Sequence, residues 1–349
     1  MARIAAFDTG QHLLSTETTD TLMLPEARLR ASCTLVERNL GGLAVLSHHE
    51  SEDEGACRSH LFKGERDGRD YVMLVSEPSL ADSGLTAVAM PGILESVEGG
   101  VGLGYHRALA RQLPTHRVVS IATDGIGPNG AKTTLLNWHQ CSLDHMAEQG
   151  LDLLKTHNEG RSCVGLATSM GSVVLANILN RNIREGKPVD FRGVILNAPA
   201  LVPPNRVVQD MFFGFLPLFA IDTLEEVFVR TPPRDIPKVL GLLLHSLPGK
   251  KDVVPIVRQV YDLLHGTPMD QIETVVREYP TTVITGTDDP VGEIRMWQEL
   301  QSHYPKKLKL ETVARHGHAM LLKPEDCAER VVTIMKRRRM HRMSKPQAA

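Results

Sequence analysis

At 349 residues the chain is long enough for one large domain carrying an insertion, or for two modest domains. A charged fraction of 23% and a hydrophobic fraction of 42% are those of a globular protein, and a formal net charge of -2 gives no electrostatic case for binding nucleic acid. The five cysteines (Cys33, Cys57, Cys141, Cys163, Cys327) are odd in number and free of C-x-x-C spacing, which argues against a disulfide framework or a zinc site.

The same cysteine usage points to a reducing, cytoplasmic compartment. No apolar segment follows Arg3 to form a secretory signal, and no run approaches the ~20 residues a membrane span needs.

In chain order, residues 1–30 are polar and without period, and read as an extension. Three strand-like runs follow: "SCTLVER", "GLAVLSHH" and "DYVMLVSE". From "LTAVAMPG" (Leu85 to Gly92) the rhythm becomes strand and helix in alternation. "YHRALARQL" has helical spacing, "HRVVSIATD" is a strand, and "NWHQCSLDHMAEQGLDLLKTH" is a long amphipathic helix. "CVGLATS" is a strand, "MGSVVLANILNRNIRE" a helix, and "RGVILNAPAL" a strand running to about Leu201. Far downstream come the strand "TTVITGTDD" and the helix "PEDCAERVVTIMKRRR". Strands without polar alternation, separated by helices, imply an α/β fold with a parallel, doubly wound sheet covered on both faces.

Between Leu201 and Thr281 lies an apolar, helical stretch without strand rhythm. It holds Phe212, Phe213, Phe215, Phe219 and Phe228, five of the chain's eight phenylalanines. An insertion entering after a parallel strand should lie over the carboxyl ends of the sheet, where ligands bind. A buried helical core of its own explains the same composition.

The stretch "ATDGIGPNGAKTTL" looks like a phosphate loop but fails its geometry. Ala131 stands where the glycine before Lys132 must be, and no glycine lies at the correct spacing upstream. The C-terminal "KRRRMHRMSK" admits an anionic membrane or nucleic-acid contact. Cations closing the last helix favourably for its dipole, and then running into solvent, are the favoured account.

The chemistry concentrates in "CVGLATSMGSVVLANIL". A strand runs into Ala167-Thr168-Ser169-Met170-Gly171 and leaves as a helix. Small residues two before and two after a serine allow a sharp turn that lifts Ser169 Oγ from the sheet and sets a helix N-terminus behind it. An N-capping serine would be the ordinary alternative. A nucleophilic serine needs a base, and the base an orienting acid. Asp288 and Asp289 follow the strand "TTVITG", while His316 and His318 follow the apolar "LKLETV". The order serine, aspartate, histidine, each at a strand end, is that of one hydrolase class. There is no H-E-x-x-H or other ligand cluster for a metal, and no cofactor is expected.

On these motifs the chain, from about Leu85 to its last helix, resembles the α/β-hydrolase superfamily. Within it, the likeness is to monoacylglycerol lipase and lysophospholipase-type serine esterases. The resemblance implies a catalytic triad of Ser169 in "ATSMGS", Asp289 in "GTDDP" and His318 in "GHAML". It favours Asp289 over Asp288, since it stands three after Gly286 and before proline, and His318 over His316, since it precedes the final helix. It implies an oxyanion hole from the backbone N–H groups of Met170 and of Ile93. Pro91-Gly92 replaces the family's usual His-Gly there, which leaves Gly92 as an alternative position. The glycines of Asp124-Gly125-Ile126-Gly127 become a backbone turn of the R-G-x-G kind, with aspartate for arginine.

The resemblance also divides the chain. Residues 31–202 and 280–340 form the hydrolase core, 203–279 a helical lid, and 341–349 a basic, disordered tail. The lid phenylalanines Phe212, Phe213, Phe215 and Phe219 are the expected substrate contacts. The expected reaction is hydrolysis of carboxylic esters of an apolar, lipid-like acyl group through an acyl-enzyme. Acyl transfer or thioesterase action would use the same triad, and a non-catalytic binding protein on this scaffold is a third reading.

Overall fold

The fold is that of a computed structural model, which describes residues 30–33, 39–40, 43–52, 58–66, 69–92, 95, 97, 100–123, 142–158, 160–200, 216–245, 253–265 and 268–338. The polar extension up to residue 29, the phosphate-loop-like stretch of 124–141 and the basic tail of 341–349 lie outside the described residues.

Among the described residues eleven strands form one sheet: β1 (Arg30–Cys33), β2 (Asn39–Leu40), β3 (Leu43–Glu52), β4 (Arg58–Arg66), β5 (Arg69–Ser76), β6 (Leu85–Met90), β7 (Arg117–Thr123), β8 (Ser162–Thr168), β9 (Phe191–Asn197), β10 (Thr281–Gly286) and β11 (Leu308–Val313). The order is β1-β3-β4-β5-β7-β6-β8-β9-β10-β11, with β2 also on β3. From β7 to β11 every pairing is parallel, while β5 joins β7 antiparallel and β4, β3, β2 and β1 extend that side antiparallel. The doubly wound parallel sheet expected from the sequence is therefore present, with an antiparallel extension at one side.

Burial explains the strand compositions. Every residue of β6, β8 and β10 is buried, which continuous apolar runs permit only in a sheet covered on both faces. On one face Ala87, Ala89, Val164 and Leu166 meet α1 (Gly100–Gln112) and, at the chain's end, α9 (Pro324–Arg337). On the other, Val88, Met90, Cys163 and Ala167 pack in one core with α2 (Leu143–His157) and α3 (Gly171–Arg184).

Between β9 and β10 the described residues form α4 (Leu216–Phe228), a 3-10 turn at Pro233–Asp235, α5 (Ile236–His245), α6 (Val253–His265) and α7 (Pro268–Glu278). The last of these contributes Ile272, Val275 and Val276 to the same core as α2 and α3. It thus covers the sheet, as does α8 (Ile294–His303) through Trp297.

Some boundaries differ from the sequence reading. The strand expected to run to about Leu201 ends at Asn197, because Ala198 takes φ +44° and turns the chain out of the sheet. The described part of the long helix read from Asn137 begins at Leu143, where Ser142 caps it by accepting the His145 N–H at 3.3 Å.

Candidate active site

Four parallel strands deliver loops to one edge of the sheet, at their carboxyl ends: β6 to Pro91-Gly92, β8 to Ser169, β10 to Asp289, and β11 to His318. This is where an open α/β sheet offers its crevice.

Ser169 sits on the turn between β8 and α3 with φ +45°, a left-handed conformation that a residue with a side chain rarely adopts. Surrounding bonds hold it there. The Ser169 N–H donates to Asn197 O at 3.0 Å, and Ser169 O accepts the Ala200 N–H at 3.1 Å. The turn leaves no room at Gly171, where a Cβ would stand 2.3 Å from Met90 O and 2.4 Å from Pro91 O. Met170, the next residue after Ser169, forms the N-cap of α3, so its N–H belongs to the end of a helix where backbone donors lack intrahelical partners.

Ser169 Oγ is 2.8 Å from His318 Nε2. On the far side of the ring, His318 Nδ1 lies 3.2 Å and 3.1 Å from the two carboxylate oxygens of Asp289. All three side chains are buried. Asp289 is itself oriented: its Oδ1 accepts the Val291 N–H at 2.8 Å and the Gly292 N–H at 3.2 Å. Burial opposes a charge on His318, but the Asp289 carboxylate and its hydrogen bond, with Asp222 and Glu95 farther off, outweigh it. They hold the imidazolium above the ordinary histidine value.

The rejected alternatives point elsewhere. Asp288 is exposed and its Oδ1 accepts from Thr287 Oγ1 at 3.1 Å. His316 pairs through Nδ1 with Glu226 Oε2 at 3.1 Å. Gly286 lets these loops meet, since a Cβ there would lie 1.9 Å from His316 O.

Of the expected oxyanion donors, Ile93 lies outside the described residues. The Gly92 alternative is occupied: its N–H donates to Glu95 Oε2 at 2.7 Å. Gly92 lies against Ser169, and a Cβ there would come within 2.9 Å of Ser169 Cβ. Phe212, Phe213 and Phe215 also lie outside the described residues. Phe219 belongs to α4, and only its backbone is described.

Two acids beside the site have no counterpart among the residues singled out from the sequence. Glu95 accepts from Gly92 and from the Thr168 hydroxyl, tying the loop after β6 to the residue before Ser169. Burial pushes its carboxyl above the ordinary value, against the lowering effect of Gly92, Thr168 and His318. Asp222, on α4, accepts the Ala319 N–H at 2.7 Å. Among the described residues no group of histidine, cysteine and acidic side chains could hold a metal ion. Among them, no helix is long and apolar enough to cross a membrane.

No family model and no curated protein sequence matches the chain. Solved structures do. A probable hydrolytic enzyme from Pseudomonas aeruginosa aligns over 79% of this chain and 93% of its own, with a TM-score of 0.54 and 16% identity. A soluble variant of monoglyceride lipase from Saccharomyces cerevisiae aligns over 81% and 95%, with a TM-score of 0.53 and 15% identity. The thioesterase domain from the curacin biosynthetic pathway aligns over 81% and 100%, with a TM-score of 0.54 and 15% identity. The fold of this chain is the α/β-hydrolase fold.

Proposed function

We propose that the protein is a serine-dependent carboxylic ester hydrolase, with Ser169 as nucleophile, His318 as general base and acid, and Asp289 as the orienting carboxylate. The observation that carries this reading is the unbroken chain Ser169 Oγ–His318 Nε2, at 2.8 Å, and His318 Nδ1–Asp289, at 3.1 Å. Each contact lies in the range a nucleophile–base–acid relay requires.

In this reading Ser169 Oγ adds to the ester carbonyl as its proton passes to His318 Nε2. The Met170 N–H, with Ile93 as partner, receives the charge on the carbonyl oxygen. His318 returns the proton to the departing alkoxide, leaving an acyl group on Ser169. Water then repeats the addition: His318 takes its proton, and the carboxylic acid leaves as Ser169 Oγ is reprotonated. Asp289 stabilises the imidazolium and fixes its tautomer without accepting the proton. Of the helices between β9 and β10, α7 covers the sheet, while α4 acts as a lid and offers the apolar acyl group its site. No cofactor enters any step.

The test is a panel of p-nitrophenyl esters and acyl-CoAs of graded chain length, with Ser169→Ala as control. Ester turnover that disappears in the variant is the expected result. Efficient acyl-CoA cleavage with negligible ester turnover would move the reading to a thioesterase. Activity retained by Ser169→Ala would end the serine mechanism.

A further inference from the structure

The helix α4 buries acids against the one loop that must hold a base. Asp222 is 7% exposed. Its Oδ2 accepts the Ala319 N–H at 2.7 Å, and its Oδ1 accepts from Arg230 Nη1 at 2.9 Å. The same carboxylate fills the space beside Gly317, where a Cβ would stand 2.0 Å from Asp222 Oδ1. It therefore touches the backbone immediately before and immediately after His318.

One helical turn on, Glu226 repeats the arrangement farther along the loop. It is fully buried and pairs with His316 Nδ1 at 3.1 Å and with Lys323 Nζ at 2.5 Å. Lys323 Nζ also donates to Arg230 O at 3.1 Å. Desolvation resists ionisation of Glu226, yet Lys323 and His316 bring its carboxyl below the ordinary value. The 3-10 turn His318–Leu322 is thus held to α4 at both ends. A helix that merely covered the sheet would do so more cheaply with apolar side chains, since removing carboxylates from water is costly even when they are paired.

We propose that Asp222 is a positioning residue for the reaction: from α4 it fixes the backbone on both sides of His318, so that the imidazole meets Ser169 only while α4 is docked. This rests on the reading of Ser169 and His318 as nucleophile and base. The charge of Asp222 acts as well as its shape. His318 is faced by Asp289 from the loop after β10, by Asp222 from α4, by Glu95 from the loop after β6, and by Ser169. Burial works against its proton, while the carboxylates retain it, with Asp289 foremost.

The variants separate shape from charge. Asp222→Asn keeps an oxygen for the Ala319 N–H and loses the charge. The acid limb of the pH–rate profile, and the His318 titration read by NMR, should move to lower pH, with kcat within about threefold of wild type. Asp222→Ala loses both, and kcat should fall on the order of 10–100-fold with KM little changed, as expected for a misplaced base. Gly317→Ala should damage the wild-type background, where its methyl meets the carboxylate. It should do no further harm beside Asp222→Ala, where the space is free.

The experiment measures, on the full chain, the pH-dependent rate of Ser169 labelling by a fluorophosphonate. His318 titration and thermal melting are recorded on the same four variants. Non-additivity of Gly317→Ala with Asp222→Ala, together with the downward shift in Asp222→Asn, is the supporting result. Two independent losses that multiply in the double variant, or a titration of His318 unmoved by Asp222→Asn, would overturn the proposal. If Asp222→Ala does not fold, the Asp222→Asn titration decides alone. A wild-type protein whose Ser169 stays unlabelled would overturn the catalytic reading instead, and the His318 titration would still decide the part of Asp222.

Discussion

The Cα of Gly171 lies against the carbonyl of Met90, so close that a Cβ would stand 2.3 Å from its oxygen and 2.4 Å from that of Pro91. Two loops that carry the candidate chemistry, those after β6 and around Ser169, are in backbone contact here. Ala167, at the other small position of the nucleophile motif, is a buried strand residue whose methyl belongs to the core. The two positions are therefore unequal. Gly171→Ala should force the loops apart, at a cost of the ~1–3 kcal/mol typical of overpacking, and lower kcat with it. Ala167→Gly should leave activity largely intact and lose only about 1 kcal/mol to strand flexibility. Melting temperatures and ester turnover on the two variants test this, and a harmless Gly171→Ala would remove the claim.

Asp289 and Asp288 make a second unequal pair. Asp289 is buried beside His318 and holds the Val291 and Gly292 N–H groups, whereas Asp288 faces solvent. Asp289→Asn should keep the fold, present the wrong partner to the imidazole, and reduce kcat on the order of 10³–10⁴-fold. Asp288→Asn should change kcat by less than about threefold, as exposed substitutions usually do. Reversed effects would transfer the acid role to Asp288.

The buried strands β6, β8 and β10 were legible in the sequence because a doubly covered strand must be apolar throughout. The sharp turn at Ser169 was legible because it demands small neighbours. β4 (Arg58–Arg66), reading "RSHLFKGER", and α8, reading "IRMWQELQSH", were missed. The first lies in the antiparallel extension and mixes charged with apolar residues, while the second buries only Trp297 and Leu300 and shows a thin apolar stripe. Glu95 and Asp222 left no local signal at all. Besides nearer contacts, they bond Thr168 and Ala319, 73 and 97 residues away, which only the fold brings beside them.

Glu95 ties Gly92 to Thr168, and its loss should be felt in both stability and rate. Glu95→Ala strands the buried Gly92 N–H, a cost of ~1–3 kcal/mol, and loosens the loop bearing the proposed Ile93 donor. Glu95→Gln retains an oxygen for Gly92 and should be milder. Burial raises the Glu95 carboxyl in the folded protein, so the native state holds that proton more tightly than the unfolded chain. Its contribution is therefore complete below the ordinary carboxyl value and fades as pH rises through the folded one. Relative to Glu95→Gln, the wild type should lose melting temperature as pH climbs from 4 towards neutrality. Parallel melting curves for the two across that range would contradict the assignment.

In the proposed mechanism the pH dependence of catalysis follows from His318. It acts as a base only when neutral, and its surroundings favour the imidazolium above the ordinary value of 6.5. The acid limb of kcat/KM should accordingly have its midpoint above 6.5, rising with pH. A midpoint well below that value would mean that desolvation, rather than the Asp289 carboxylate, dominates at the ring.

The acyl chain is tested by its length. Leu218, Ile221 and Leu224, on α4, are each more than half exposed and spaced three apart, so one side of this helix presents apolar surface outward. Phe212, Phe213 and Phe215 immediately precede that helix in the chain. If those phenylalanines receive the acyl group, each buried methylene contributes ~0.8 kcal/mol, and kcat/KM should climb roughly three- to fourfold per carbon until the site is full. Phe212→Ala or Phe215→Ala should then flatten the climb for long chains and spare acetate esters. If the rings instead pack among the helices themselves, truncation costs stability, ~3–5 kcal/mol for a buried phenylalanine, and lowers turnover of every ester alike. The chain-length slope and the melting temperature, measured on the same variants, separate these outcomes. An unchanged slope with a large fall in melting temperature removes the lipid-like substrate and leaves the proposed ester chemistry of Ser169 untouched.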